Sequence, residues 1–417
     1  MIYEFTFSNF RSYKNEATID FSAKPITEFE NSLINVEGEP SILPVCAIYG
    51  PNGGGKSSAL MALKTLKEIV INPLVQMVFM KNKNEKLASA TIEELQAGIK
   101  NDEQDIAYYK WDKECENKPT VFSILFLIKG KKYRYELTIK NKNICEENLY
   151  LKEIKDGDLR AVFERDEDGI YLCEELANMD INNLNGNLPL ISYISMFKDL
   201  DIVDDAIQFF MNMQTVNFDI PKQDRRVLIK VIERHKNRFI NVVQSMGIDI
   251  DDIRVEYDNN GKVSEVYVKH SDVDGELEFT EESSGTRKIF SILPVILNGI
   301  DRGTLFVIDE LDAKLHPALL QSIIELFTDH TINRAGAQLL FTSHDLTTMS
   351  NEVFRRDEIW FSAINGYNES VLYSLVDFKK ENGEKPRKDE AYNKQYLEGR
   401  YGADPYMKQL KNWEVVS

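Results

Sequence analysis

The chain has little that would suit an oxidising or membrane setting. Its four cysteines, Cys46, Cys115, Cys145 and Cys173, have no C-x-x-C spacing and sit mostly in apolar or strand-like runs. That pattern gives no zinc site and points to a reducing compartment. No run approaches the ~18 apolar residues of a membrane span, and Met1-Ile2-Tyr3-Glu4-Phe5 lacks the basic region of a signal peptide. The expectation is a cytoplasmic protein with no membrane partner. Positive charge is also scarce: 50 Lys and Arg stand against 68 Asp and Glu, a net charge of −18. Such a field argues against a protein that coats nucleic acid with its whole surface. There is no internal repeat, and glycine and proline are unremarkable, so wholesale disorder is not expected. What is present is 417 residues with 43% hydrophobic character, enough for one large core or two modest ones.

Against this background one stretch stands out. Residues 50–58, Gly50-Pro51-Asn52-Gly53-Gly54-Gly55-Lys56-Ser57-Ser58, satisfy G-x-x-x-x-G-K-[ST] at every fixed position. The pattern names a nucleoside triphosphate with Mg²⁺ as the ligand. Val45-Cys46-Ala47-Ile48-Tyr49 before it is an apolar run of buried-strand type. After it, Lys56 to Ile71 reads as a helix with Ala59, Leu60, Leu63 and Leu66 on one side, stopped by Asn72-Pro73. A strand, a glycine loop and a helix start bring backbone N–H groups and a helix dipole to an anion.

A second anchor lies far downstream. Leu305-Phe306-Val307-Ile308-Asp309-Glu310 is an apolar strand ending in two carboxylates. Asp309 is placed to hold the metal beside the Ser57 hydroxyl, and Glu310 to orient or deprotonate a water. Gln338–Phe341 is another buried strand, followed by Thr342-Ser343-His344-Asp345. His344 at its tip is a candidate donor to a γ-phosphate, although a lone histidine is more often structural. Glu282-Ser283-Ser284-Gly285-Thr286 opens a helical run. Small hydroxyl and glycine residues at a helix start can form a second anion cradle, but by itself the stretch reads as a plain serine N-cap.

The order of these elements resembles the ABC-type ATPase head, whose corresponding parts are Walker A, signature, Walker B with D-loop, and H-loop. Asn9-Phe10-Arg11-Ser12-Tyr13, Ser283-Ser284-Gly285-Thr286 and Asp309-Glu310-Leu311-Asp312 with Leu315-His316-Pro317 are similar to the AAA-labelled ATPases of the RecF, OLD and abortive-infection group. Arg355–Phe361, read as a strand, and Tyr396–Gly402 resemble the AbiL/RloA-type anti-phage ATPases. The resemblance implies that Gly50, Asn52, Gly53, Gly54, Gly55, Lys56, Ser57 and Ser58 hold phosphates, with Ser57 and Asp309 on Mg²⁺. It implies catalytic roles for Glu310, Lys56 and His344, and a place near the nucleotide for Arg11 and Ser12. Ser283 and Gly285 would reach the γ-phosphate of the opposite subunit, giving an ATP-sandwich homodimer. The signature departs from the transporter wording Leu-Ser-Gly-Gly-Gln, and no Q-loop glutamine is assigned.

Length sharpens the expectation. The stretch between Ser57 and Ser283 carries no sustained heptads, unlike chromosome-structuring relatives, and too little follows Phe361 for a TOPRIM nuclease domain. A TOPRIM/RloB-like nuclease encoded nearby would then act in trans as the partner effector. The alternative is a RecF-like ATPase that binds DNA directly in repair or recombination. A basic stripe at Arg226, Lys230, Arg234 and Arg238 opposes an apolar one at Leu228, Ile232, His235 and Phe239. It reads as a solvated helix face or as a phosphate-binding surface.

The expected fold is α/β, a P-loop NTPase of ABC-head type with a mixed central sheet, an antiparallel β lobe and an inserted helical subdomain. The expected division is 1–200 for the first lobe, 201–280 for a helical and hairpin insertion, and 281–417 for the second lobe. Within these, hairpins are expected at Val121–Ile128 with Tyr133–Ile139, and at Ile253–Tyr257 with Val263–Val268. Helices are expected from Asp201 and from Asp224 to about Met246, and Lys379–Asp389 reads as a polar linker.

Overall fold

The computed structural model describes residues 1–83, 106–153, 158–182, 184–217, 225–260, 263–271, 273–379 and 383–403. Its first layer begins with β1 (Ile2–Ser8) and β2 (Ala17–Asp20), after which the chain leaves for a second sheet through β3 (Val45–Tyr49) and helix α1 (Lys56–Lys83). It returns as β4 (Thr120–Ile128), β5 (Lys131–Lys140), β6 (Asn143–Glu153), β7 (Arg160–Arg165) and β8 (Ile170–Leu172). These form a seven-stranded antiparallel sheet in the order β2-β1-β4-β5-β6-β7-β8. The alternation that marks β5 in sequence is its burial pattern: Tyr133, Tyr135, Leu137 and Ile139 face inward. Beneath this sheet lie α2 (Leu190–Phe197) and α3 (Asp201–Asn212), where Phe209 stacks on Phe126 at 4.1 Å between ring centres.

The chain then runs through β9 (Gln214–Asn217), α4 (Arg225–Ser245) and a small three-stranded sheet of β10 (Asp252–Tyr257), β11 (Val263–Lys269) and β12 (Glu276–Glu278). It continues through α5 (Ser284–Ile300), β13 (Leu305–Asp309), α6 (Pro317–Thr328), β14 (Gln338–Thr342), β15 (Ile359–Ile364), β16 (Ser370–Ser374) and α7 (Tyr392–Leu397). The central sheet has the order β16-β15-β3-β14-β13-β9. All its neighbours are parallel except the antiparallel edge pair β15–β16. Its inner strands β3, β13, β14 and β15 are largely apolar because both faces are covered. Cys46, Ile48, Leu305, Val307 and Leu340 enter one core, while Val45, Ala47, Tyr49, Phe306, Ile308 and Phe341 enter the other. The α/β expectation, with a mixed sheet and an antiparallel lobe, holds.

Two boundaries differ from expectation. Helix α1 does not stop at Asn72-Pro73 but continues through Pro73 to Lys83. Val70, Ile71, Pro73 and Met77 are buried, and that burial offsets the hydrogen bond that proline cannot make. The strand expected over Arg355–Phe361 begins only at Ile359. Arg355–Glu358 is a turn in which the fully buried Arg355 donates to both Asp357 oxygens at 2.9 Å. Both hairpins and the helix from Asp201 are present. Ile154, Lys222, Asp224 and Gly261 lie outside the described residues, as do residues 380–382 of the linker. Among the described residues, no helix is long and apolar enough to cross a membrane.

Candidate functional site

The C-terminal ends of β3, β14 and β13 lie side by side, where open α/β sheets bind ligands. The loop Gly50–Gly55 leaves β3 and delivers Lys56 to the first turn of α1. Two glycines are dictated by what lies behind the loop. Gly50 has φ +150°, and a Cβ there would sit 2.1 Å from the Ser362 carbonyl oxygen. Gly55 has φ +106°, and its Cβ would sit 2.4 Å from Ser370 Oγ and 3.0 Å from Ser12 Oγ. Ser362 Oγ donates to the Gly54 carbonyl at 2.7 Å and pairs with Tyr13 OH at 2.8 Å. The loop is thus braced from β15 and from the turn after β1. Asn52, Gly53 and Ser57 are exposed, Ser58 is half-buried, and Gly54 and Lys56 are buried.

A carboxylate corner faces the loop. Ser57 Oγ donates to Asp309 Oδ1 at 3.1 Å, and Thr342 Oγ1 donates to the same oxygen at 2.6 Å. The Glu310 N–H donates to Thr342 Oγ1 at 2.8 Å. Glu310 sits at φ +50°, an unusual backbone for a side chain of this kind. The turn is fixed by the Leu311 N–H donating to the Thr342 carbonyl at 3.1 Å. Lys56 Nζ donates to the Gly50 and Pro51 carbonyls at 2.8 and 3.1 Å. Burial lowers its pKa, opposed by the charges of Asp309, Glu310 and Asp312. The His344 N–H donates to Asp312 Oδ2 at 3.1 Å, while Asp312 Oδ1 is buried without a partner.

Ser283 and Gly285 are placed differently. Ser283 is the exposed N-cap of α5, accepting from the Thr286 N–H at 3.1 Å. A Cβ at Gly285 would lie 4.0 Å from the Lys314 carbonyl oxygen, and the buried Lys288 ammonium donates to the Ala313 carbonyl. This helix start therefore rests on the loop after Glu310. Behind it, the buried Glu282 pairs with His270 Nε2 at 2.7 Å, which raises the His270 pKa. That pair ties the signature stretch to the end of β11.

Arg11 and Ser12 separate in role. The Arg11 N–H donates to the Ala107 carbonyl at 2.6 Å, and its exposed guanidinium lies 5.9 Å from the Phe10 ring centre. Ser12 is against Gly55 itself, and its carbonyl accepts from the Ser370 N–H at 2.8 Å. The hydroxyls of Ser12 and Ser370 are both buried without partners beside Gly55. Unpaired donors around a glycine at a helix start are chemistry that fits a phosphate. Oxygen donors from Ser57 and Asp309 suit a hard cation such as Mg²⁺.

Sequence reasoning missed Tyr13, Thr342, Asp312, Ser362 and Ser370 as parts of this site. Thr342 was findable, because it precedes Ser343-His344 at a strand tip. Ser362 and Ser370 were not, because only the parallel pairing of β15 with β3 brings them to the loop. Of the basic stripe, Lys230, Arg234 and Arg238 lie on α4, and Arg238 pairs with Asp301 at 2.7 Å. The side chain of Arg226 lies outside the described residues.

A family model described as "AAA domain, putative AbiEii toxin, Type IV TA system" matches residues 45–350, which span the loop, the signature stretch, Asp309 and His344. Among curated proteins none matches. Among solved structures, the chain is similar to an SMC head crystallised with the C-terminal winged-helix domain of ScpA. Identity is 15%, covering 90% of this chain and 97% of that one, with a TM-score of 0.38.

Proposed function

The chain belongs to this AAA-domain family, and on that premise we propose an ABC-type ATPase that dimerises around ATP to control a partner effector in bacterial anti-phage defence. The observation that carries the reading is the hydrogen-bond chain Ser57–Asp309–Thr342–Glu310. It joins the phosphate loop, through one buried threonine, to the backbone N–H of the residue that carries the proposed water-activating carboxylate. In this reading the N–H groups of Gly53–Ser58 and Lys56 hold the β- and γ-phosphates, and Arg11 and Ser12 flank the nucleotide. Ser57 and Asp309 hold Mg²⁺, which when bound would neutralise phosphate charge. Glu310 orients the water and accepts its proton as the water attacks the γ-phosphorus in line. His344 donates toward the γ-phosphate.

The proposed parts are a first lobe at 1–200, an insertion at 201–280 and a second lobe at 281–417. The exposed N-cap Ser283 and Gly285 would meet the ATP of a second copy, so each dimer would hold two nucleotides. The AbiL/RloA-type resemblance supports a defence role and an effector supplied as a separate chain, of TOPRIM/RloB-like nuclease class. Glu310→Gln tests the core of the reading. With ATP it should accumulate as a dimer by light scattering and release phosphate at least about 100-fold more slowly. Normal phosphate release by this variant would remove Glu310 from its role.

A further inference from the structure

Away from the phosphate loop, a cavity of about 280 Å³ opens between α4 and the end of α5. Lys230, Arg234 and Arg238 line it from α4, and Arg302 lines it from the turn before β13. The single carboxylate in the lining is Asp301, already paired with Arg238. Lys230, Arg234 and Arg302 are exposed and have no described partner. Helix α4 bends at His235 (φ −141°, ψ 34°), itself a lining residue. The bend turns what would be a straight ridge of cations at fourth positions into one wall of a cleft.

The floor is apolar, made by Val231, Phe239 and Leu297. Phe239 is fully buried and meets Phe290 edge-on at 5.2 Å, which fixes the floor to α5. The end of α5 has three of its last carbonyls met by backbone N–H groups: those of Leu297, Gly299 and Ile300 accept from Asp301, Arg302, Thr304 and Gly303. In a chain of net charge −18, four cations facing one neutralised carboxylate form a local reversal of field.

We propose that this cleft binds a nucleotide unit, with its phosphate on Lys230, Arg234 and Arg302 and its base or sugar against Val231, Phe239 and Leu297. A free nucleotide and a unit within a strand share this chemistry. The proposal is separate from the ATPase reading, since none of these residues belongs to the phosphate-loop site.

The test is equilibrium binding to the full chain at 50 mM and 200 mM salt with three probes: inorganic phosphate, thymidine monophosphate and a labelled oligothymidylate. The same probes are applied to Arg234→Glu/Arg302→Glu and to the milder Arg234→Gln/Arg302→Gln. At least one thymidine probe should bind about tenfold or more tightly than inorganic phosphate, weakening as salt rises. Both double variants should lose at least about tenfold of that affinity while ATP binding stays unchanged. Binding of the strand alone would identify internal phosphodiester units, and binding of both thymidine probes an open site. Thymidine probes that bind no better than phosphate would overturn the proposal. So would Gln variants that bind like the unaltered chain.

Discussion

The phosphate loop and the proposed second cradle at Ser283–Gly285 are built to different degrees of completion. The phosphate loop is braced from behind by three separate parts of the chain: Ser12 and Tyr13, Ser362, and Ser370. The signature start at Ser283–Gly285 has an exposed outer side, rests on the loop that follows Glu310 and is tied behind to β11 through Glu282 and His270. One is fully organised within a single chain. The other leaves Ser283 exposed, which agrees with the proposal that a second copy meets it. The lesson is that affinity and turnover should depend on different halves of the protein.

The largest test of that contrast is Gly55→Ala. Its Cβ has no room beside Ser370 and Ser12, and φ +106° disfavours any side chain. Nucleotide affinity should fall at least about 100-fold, with a stability loss of about 2–3 kcal/mol by chemical denaturation. Retained affinity would show that the bracing is not needed. Next in size is Ser283→Arg, on the exposed cradle. It should lower ATP turnover at least about tenfold while changing nucleotide binding by less than about twofold. Parallel loss of both would erase the distinction between the halves.

Two smaller effects are read through pH. Burial pushes the Glu358 carboxyl up to about 8. It lies at the base of β15, where its carbonyl accepts from the Ala47 N–H of β3. The folded state holds this proton more tightly than the unfolded one, so stability is lost as pH rises from about 4.5 to about 8. Glu358→Gln should flatten that slope and raise the melting temperature at pH 8 by about 3 °C or more. On the signature side, Glu282 holds the His270 pKa above 6.5. Its contribution is full below pH 6.5 and is lost as pH rises through the higher folded value. His270→Ala should cost about 1–2 °C at pH 6 and less at pH 9. Equal losses at both pH values would mean the pair acts by packing alone.

Legibility in the sequence follows the same division. The phosphate loop could be read because its strand, turn and helix are contiguous, and the chemistry of glycine is local. The placement of Asp309 and His344 at or just past strand ends could be read because each closes a compact apolar run. The β4–β5 hairpin could be read because one face alternates. The bracing serines could not, since their positions depend on β15 lying beside β3 across about 310 residues of chain. Pro73 misled for the opposite reason. Its local signal says stop, and tertiary burial overrides it. The Arg355–Glu358 turn was hidden because a buried ion pair and a strand start look alike in composition. The pairing of β9 with β13 left no signal either, because four residues of mixed character suffice to add a parallel edge.

Helix α1 carries a mechanical implication. It starts at Lys56 in the phosphate loop and continues unbroken for 28 residues, a rod of about 42 Å. Its first turn is anchored at the phosphate loop, and its later part carries exposed Val78 and Phe79. A tilt of about 5° about the loop would sweep the far end through about 4 Å. Leverage of this kind would let a displacement too small to disturb the loop be felt at the outer surface of the molecule.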